Sequence, residues 1–302
     1  MSTLPGGVWP AMFTPLTENG AVHTAMVEKM VELFLREKLD GVYVLGTTGQ
    51  GPAMTMEVRK TLTEQTIRLA ARRLPVMVHV GAVATEDSIE LARHAADAGA
   101  DAVSAVPPIY FPSTPEVEFE HYRHIASATD LPFLPYCNEI VAGSLSLPVP
   151  QYVERLLELP HIVGVKLTTR DMFTFGLVRS ESNGRLKLYS GCDELICQGA
   201  LSGSHGAIGT TYNIFGAAAG KMRRACTEGR FEAARDFMLV YQRFVSAAIT
   251  SGRFYKFLRQ SMQLRHGIDI GPGRAPLCFV GDDWDEDEVR RMCDEVDEAA
   301  GV

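Results

Sequence analysis

The sequence predicts an α/β fold, a (β/α)8 TIM barrel with a C-terminal helical extension, and three observations predict it. Apolar strand-like runs alternate with helical periodicity until eight strands have been counted, by about residue 225. No break in composition interrupts the alternation, which favours one closed parallel barrel over an open sheet. Beyond that point the pattern is helical alone. The expected organisation is therefore 1–225 as the barrel carrying the active site and 226–302 as an extension of the same domain.

Each element has its own local reason. Val8 to Thr14 reads as an imperfect first strand, followed by a turn at Glu18, Asn19 and Gly20. Met26, Met30, Leu33 and Phe34 recur at helical spacing and predict a helix over about 24–38. Gly41 to Leu45 is the second strand, with a helix over about 55–72 after it. Pro75 to Gly81, Ala102 to Val106 and Leu131 to Tyr136 are the third, fourth and fifth strands, and Ser88 to Ala98 is the helix between the first two of these. The sixth is the run ending at Lys166, the seventh is Arg185 to Gly191 and the eighth is Gly206 to Thr210. Phe231 to Thr250, Phe254 to Arg265 and Glu286 to Ala299 are the helices of the extension. The acidic run Asp282 to Glu288 reads as a solvated helix start whose carboxylates complement the helix dipole.

The stretch His161 to Thr169 organises the rest. An apolar Val/Ile/Leu run is the signature of a buried parallel strand, and here it ends in Lys166. Lysine is rarely buried without a partner or a task. The carboxyl ends of barrel strands open on the active-site mouth, and desolvation there disfavours a charged amine. Only a neutral amine attacks a ketone, so the position suits a Schiff-base nucleophile; a surface lysine just past a strand is the plainer alternative.

Catalytic residues in a barrel come from several strand ends together. Strand two offers Thr47 and Thr48 within Gly46 to Gly49, hydroxyls and open backbone N–H groups that suit a small carboxylate. The same four residues also fit an ordinary strand-to-helix turn, and they form neither a P-loop nor a dinucleotide fingerprint. Strand four offers Tyr110, strand five Tyr136, strand six Lys166 and Thr168, strand seven Asp193 and Glu194, strand eight Thr210. Tyr136 could carry a proton if held in a hydrogen-bond chain, or simply edge the core. Asp193 and Glu194 could hold substrate hydroxyls, or sit as acids at a helix start.

Composition excludes other classes. A net charge of −8 without a basic stripe opposes nucleic acid and anionic membrane as partners. No run of about 18 apolar residues predicts a membrane span. Residues 1–10 lack the pattern of a secretory signal. Six cysteines without a CxxC pair, in a chain long enough to build a core, predict reduced thiols and a cytoplasmic protein. No metal is expected: the histidines form no HExxH, and His121 with His124 reads as a surface pair on one helix.

Taken together, Gly46 to Gly49, Asp101 to Val106, Tyr136, Gly164 to Lys166 and Gly206 to Asn213 resemble the pyruvate-dependent class I aldolases, the family that includes N-acetylneuraminate lyase and dihydrodipicolinate synthase. The resemblance spans nearly the whole chain. It implies a (β/α)8 barrel with three C-terminal helices, a homotetramer, and a 2-keto acid substrate held as a covalent lysine imine with no cofactor. It implies Lys166 as the Schiff-base lysine, Tyr136 as proton shuttle, Thr47 and Thr48 with Gly49 on the carboxylate, and Tyr110 in a relay shared between subunits. Asp193 and Glu194 after Gly191 resemble the lyase branch's segment for sugar hydroxyls, with Thr168 and Thr210 as further hydroxyl contacts. The synthase branch's arginine is replaced by Val141. Two departures stand out. Gln50 replaces the usual Glu, and Cys137, Asn138 and Glu139 replace the usual Asn, aliphatic residue and Pro, so Glu139 brings an extra carboxylate near the mouth.

The expected activity is cleavage of a 2-keto-3-deoxy sugar acid such as N-acetylneuraminate to pyruvate and an aldehyde. A dehydratase or deaminase would use the same imine, as would a synthase-type condensation. A catalytically silent barrel that binds a keto acid would be expected to lose the lysine or the tyrosine, and both are present.

Overall fold

The computed structural model describes residues 4–111, 113–139, 143–277 and 282–302. Eight parallel strands, β1 (Gly7–Pro10), β2 (Val42–Val44), β3 (Val76–His79), β4 (Ala102–Ala105), β5 (Phe133–Asn138), β6 (Gly164–Thr168), β7 (Lys187–Ser190) and β8 (Gly206–Gly209), pair in the order β1-β8-β7-β6-β5-β4-β3-β2. The remaining seam is closed by a bridge between Ala11 and Tyr43 and by the Met12 N–H donating to the Tyr43 carbonyl at 2.8 Å. Helices α1 (Thr24–Arg36), α2 (Met56–Ala70), α3 (Thr85–Ala98), α4 (Pro115–Ala126), α5 (Val149–Leu157), α6 (Met172–Glu181), α7 (Ile196–Leu201) and α8 (Tyr212–Thr227) follow the strands. The extension is α9 (Phe231–Thr250), α10 (Phe254–His266) and α11 (Glu286–Ala300).

Strand alternation divides the core in two. One set of side chains fills the barrel: Trp9, Tyr43, Met77, Leu134, Tyr189 and Ile208, with Leu4 from below. The other set, Val42, Val44, Val76, Val78, Val165 and Leu188 among them, packs outward against the helices. The floor is plugged by the N-terminal segment, whose Leu4 carbonyl accepts from Lys187 Nζ at 2.7 Å and whose Pro5 carbonyl accepts from the Tyr189 hydroxyl at 2.7 Å. Each strand is therefore free to present its carboxyl end, and the loop after it, to the opposite mouth.

Several boundaries differ from expectation. β5 begins and ends two residues later than the sequence suggested, because Leu131 and Pro132 lead into the sheet and Cys137 and Asn138 continue it. α3 starts a turn early, at Thr85, with the Ser88 side chain accepting from the Ala82 N–H. The His121–His124 surface pair is corrected. His121 is buried against α3, where its Nδ1 lies 2.9 Å from Thr85 Oγ1, and burial lowers its pKa to about 4; His124 stays exposed beside Glu120. Among the described residues no helix is long and apolar enough to cross a membrane.

Candidate active site

The site is built on two rungs of the ladder between β5 and β6. Tyr136 is in register with Lys166, and Asn138 with Thr168. Residues two apart on a strand share a face, so all four point into the barrel, while Cys137 and Leu167 point out. Cys137 accordingly packs beside the Tyr152 hydroxyl of α5 at 2.9 Å, and burial pushes its thiol up to about 12. Inside, the Tyr136 phenol oxygen accepts from Asn138 Nδ2 at 2.9 Å and from Thr168 Oγ1 at 3.3 Å.

Lys166 is 4 % exposed, and its Nζ lies between two rings, 4.0 Å from the Tyr136 centroid and 4.4 Å from the Tyr43 centroid. The negative faces of both rings favour a cation at that nitrogen, which is what an iminium would present. Tyr43 is fixed by its hydroxyl, 3.1 Å from Ser104 Oγ. His79 completes the support. Its Nε2 accepts from the Val106 N–H at 3.2 Å, so Nδ1 carries the proton and donates to the Leu45 carbonyl at 3.2 Å. Burial and the Arg59 guanidinium hold this imidazole well below its usual pKa, so it stands neutral beneath the site.

Across the barrel, Thr48 Oγ1 meets Thr210 Oγ1 at 2.7 Å, joining the loop after β2 to the loop after β8. Thr47 next to it is exposed, and its carbonyl accepts from the Tyr255 hydroxyl of α10 at 2.7 Å. Gly49 is buried; its carbonyl accepts from Thr14 Oγ1 at 2.6 Å. Gln50 adopts a left-handed backbone with φ of 54°, and its side-chain oxygen accepts from the Arg274 N–H at 2.6 Å. The extension thus grips the hydroxyl-bearing loop at two points.

On the β7 side, Asp193 is buried and its Oδ2 accepts from both the N–H and the hydroxyl of Thr211, each at 2.6 Å. Burial raises its carboxyl to about 6, against the lowering effect of the Thr211 bonds. Glu194 faces Arg170, whose Nε lies 3.1 Å from Glu194 Oε1. Gly191 is required sterically, since a Cβ there would strike Thr168 Oγ1 and crowd the Lys166 side chain. These residues enclose a cavity of ≈ 480 Å³ at the strand ends, bounded on the far side by Val245, Ile249, Phe254 and Tyr255.

Of the residues singled out from sequence, Lys166, Tyr136, Thr168, Thr47, Thr48, Thr210, Gly191, Asp193 and Glu194 line this one cavity. Tyr110 does not: it is 87 % exposed with a φ of 78°, stacked edge-on against Phe111 outside the barrel mouth. Gly49 lies behind the lining, and half-buried Glu139 lies outside it, just past the end of β5, where the backbone has turned helical. Val141 lies outside the described residues, as does Cys278. Sequence reading missed Asn138, Arg170, Tyr43 and Tyr255. Carrying the period of two one step past Tyr136 finds Asn138, while Arg170 lies beyond the end of β6, where that period no longer holds. Tyr255, more than 200 residues from the loop it holds, carries no local signal. Among the described residues no three His, Cys, Asp or Glu side chains converge as a metal site.

This is a (β/α)8 barrel with a buried lysine and a tyrosine facing each other on adjacent strands, and the chain belongs to the dihydrodipicolinate synthetase family, whose model matches residues 4–294. Within it, the chain is 34 % identical over 274 residues to an N-acetylneuraminate lyase of Rhizobium meliloti, covering 90 % of this chain and 89 % of that one. It is 33 % identical over 276 residues to N-acetylneuraminate lyase A of Xenopus laevis, covering 90 % of each. Among solved structures it superposes on a catalytic lysine mutant of Ruminococcus gnavus sialic acid aldolase with a TM-score of 0.92, at 25 % identity over 98 % of this chain and 97 % of that one.

Proposed function

We propose that this chain is a class I lyase that cleaves N-acetylneuraminate, a sialic acid, to pyruvate and an amino-sugar aldehyde through an imine on Lys166. The arrangement of Lys166 between two tyrosine rings, with the phenol of one of them held by two donors, carries the reading. The lyase names of its relatives support the substrate.

In the open-chain substrate the carboxylate sits on the Thr47 and Thr48 hydroxyls and the Gly49 amide, which places C2 against Lys166. The neutral amine adds to the C2 ketone, and the Tyr136 phenol protonates the departing C2 hydroxyl, so that loss of water leaves the iminium and a Tyr136 phenolate. Tyr136 takes the proton of the C4 hydroxyl. The C3–C4 bond breaks, its electron pair moves into the iminium to give the enamine, and C4 leaves as the aldehyde. The proton returns to C3 of the enamine, and water hydrolyses the imine to release pyruvate and restore the lysine. The polyol tail lies against Asp193, Glu194, Thr168 and Thr210, where buried acceptors reject chains lacking hydroxyls. No cofactor takes part.

The assembly proposed is a homotetramer, in which a second copy covers the exposed Tyr110–Phe111 pair. The five described cysteines are unbridged and buried, in keeping with a cytoplasmic enzyme. Borohydride reduction in the presence of pyruvate tests the reading. One pyruvyl adduct should map to Lys166 and vanish in Lys166→Arg, and sialic acid should yield pyruvate stoichiometrically. An adduct on Lys60, Lys187 or Lys256, or a product that keeps all the substrate's carbons, would overturn it.

A further inference from the structure

We infer that Asn138 is a positioning residue for proton transfer, acting through Tyr136. The inference rests on the reading of Lys166 and Tyr136 given above and extends it to a third residue. Asn138 is the second residue after Tyr136 and shares its face of β5, in register with Thr168 of β6. Because β5 runs on through Asn138, that side chain enters the barrel one rung above Tyr136, 4 % exposed and at the wall of the substrate cavity.

A phenol oxygen has one proton to give and two lone pairs to receive with. In this site both lone pairs are engaged, one by Asn138 Nδ2–H and the other by Thr168 Oγ1–H. Two consequences follow. The phenol's own O–H is left a third direction, so the donors set where the proton is delivered and collected. When the phenol gives its proton up, both donors remain to stabilise the negative charge on oxygen, and bonds to a charged acceptor are about twice as strong as neutral ones. An aliphatic side chain at 138 supplies neither effect. Asn138 therefore serves the proton movements between substrate and Tyr136, not the binding of pyruvate, whose carboxylate lies on the Thr47–Thr48 side.

Exchange of the pyruvate methyl protons in deuterated water reports the C3 leg of that transfer without involving the aldehyde. The rate is followed by proton NMR and divided by the number of Lys166 sites trapped by borohydride, so unfolded protein does not count. Asn138→Leu keeps the branched shape and removes the donor. It should slow exchange per trapped site by about tenfold to a hundredfold, the range for a hydrogen bond to a charged group, with half-saturating pyruvate shifted less than about twofold. Asn138→Asp keeps an acceptor and loses the donor, and should be slower still. Exchange by Asn138→Leu within about twofold of the unmodified protein, or full activity in Asn138→Asp, overturns the inference while leaving the imine intact. Absence of exchange in the unmodified protein with Lys166 still trapped overturns the inference and leaves the imine intact, whereas absence of trapping removes both readings.

Discussion

Asp193 and Thr211 are joined twice, the backbone N–H and the hydroxyl of Thr211 both donating to one carboxylate oxygen at 2.6 Å. The pair pins the start of α8 to the segment after β7, and the Thr211 hydroxyl also contacts the buried Tyr241 of α9. Asp193 is thus an acceptor held from behind, with its other oxygen against Gly209, where a side chain would collide with it. Its pKa, raised from 3.8 to about 6, has a consequence for stability. A raised folded-state pKa means the native protein holds the proton more tightly than the unfolded chain. The associated stability is present below about pH 4 and is lost as pH rises through about 6, by roughly 3 kcal/mol at 1.36 kcal/mol per unit. Buried His79 and His121 and half-buried His266, all depressed, pull the other way, so the difference from Asp193→Asn is the measurement to make. Thermal unfolding from pH 4 to 7 should show the unmodified protein losing stability relative to the variant as pH rises; parallel curves would refute the assignment.

Tyr43 should matter for the imine in proportion to its ring. Tyr43→Phe keeps the face above Lys166 Nζ and loses only the Ser104 contact, so pyruvate trapping should change little. Tyr43→Leu removes a cation–π contact with the iminium, worth about 0.5–2 kcal/mol, and should raise the pyruvate needed for half-maximal trapping by about two- to thirtyfold. Equal effects of the two substitutions would point to packing instead.

Arg170 and Glu194 divide their labour at the mouth. Glu194→Ala should raise KM for sialic acid by about tenfold and leave pyruvate exchange untouched, since it removes a contact to hydroxyls far from C2. Arg170 is mostly exposed, and such pairs contribute at most about 1 kcal/mol. Arg170→Ala should therefore raise KM only about two- to fivefold, and the difference should shrink in molar salt. Steady-state kinetics at two ionic strengths decide it.

Thr48→Val removes the hydroxyl that meets Thr210 and, on the reading above, one donor to the carboxylate. Half-saturating pyruvate should rise by about tenfold while the adduct still maps to Lys166. An unchanged value would move the carboxylate away from this loop.

Much of this was legible in the residues. Continuous Val/Ile runs and the helical spacing of Met26, Met30, Leu33 and Phe34 report burial directly, so the eight strands and the helices of the extension follow from local pattern. Lys166 was conspicuous as a charge at the end of an apolar run. What local pattern does not carry is direction at a strand end. Glu139 was placed near the reacting centre, yet β5 ends at Asn138 and the backbone turns helical at Glu139, which stays outside the cavity lining. His121 looked like a surface residue because its helix is amphipathic at low contrast, and only the neighbouring α3 shows why it is buried. Contacts such as Tyr255 with Thr47 join distant segments, and nothing in either segment announces the other.

That last contact limits how the chain can be cut and recombined. A designer treating residues after about 225 as a detachable appendix would expect a shortened barrel to keep its chemistry. The Tyr255 hydroxyl, however, ties α10 to the backbone of the very loop that carries Thr47 and Thr48, and Phe254 beside it walls the substrate cavity. Chimeras between this enzyme and a relative should therefore exchange the β2 loop and α10 as a linked pair. A crossover that separates them should yield soluble protein that saturates poorly with pyruvate, even with every strand-borne residue in place.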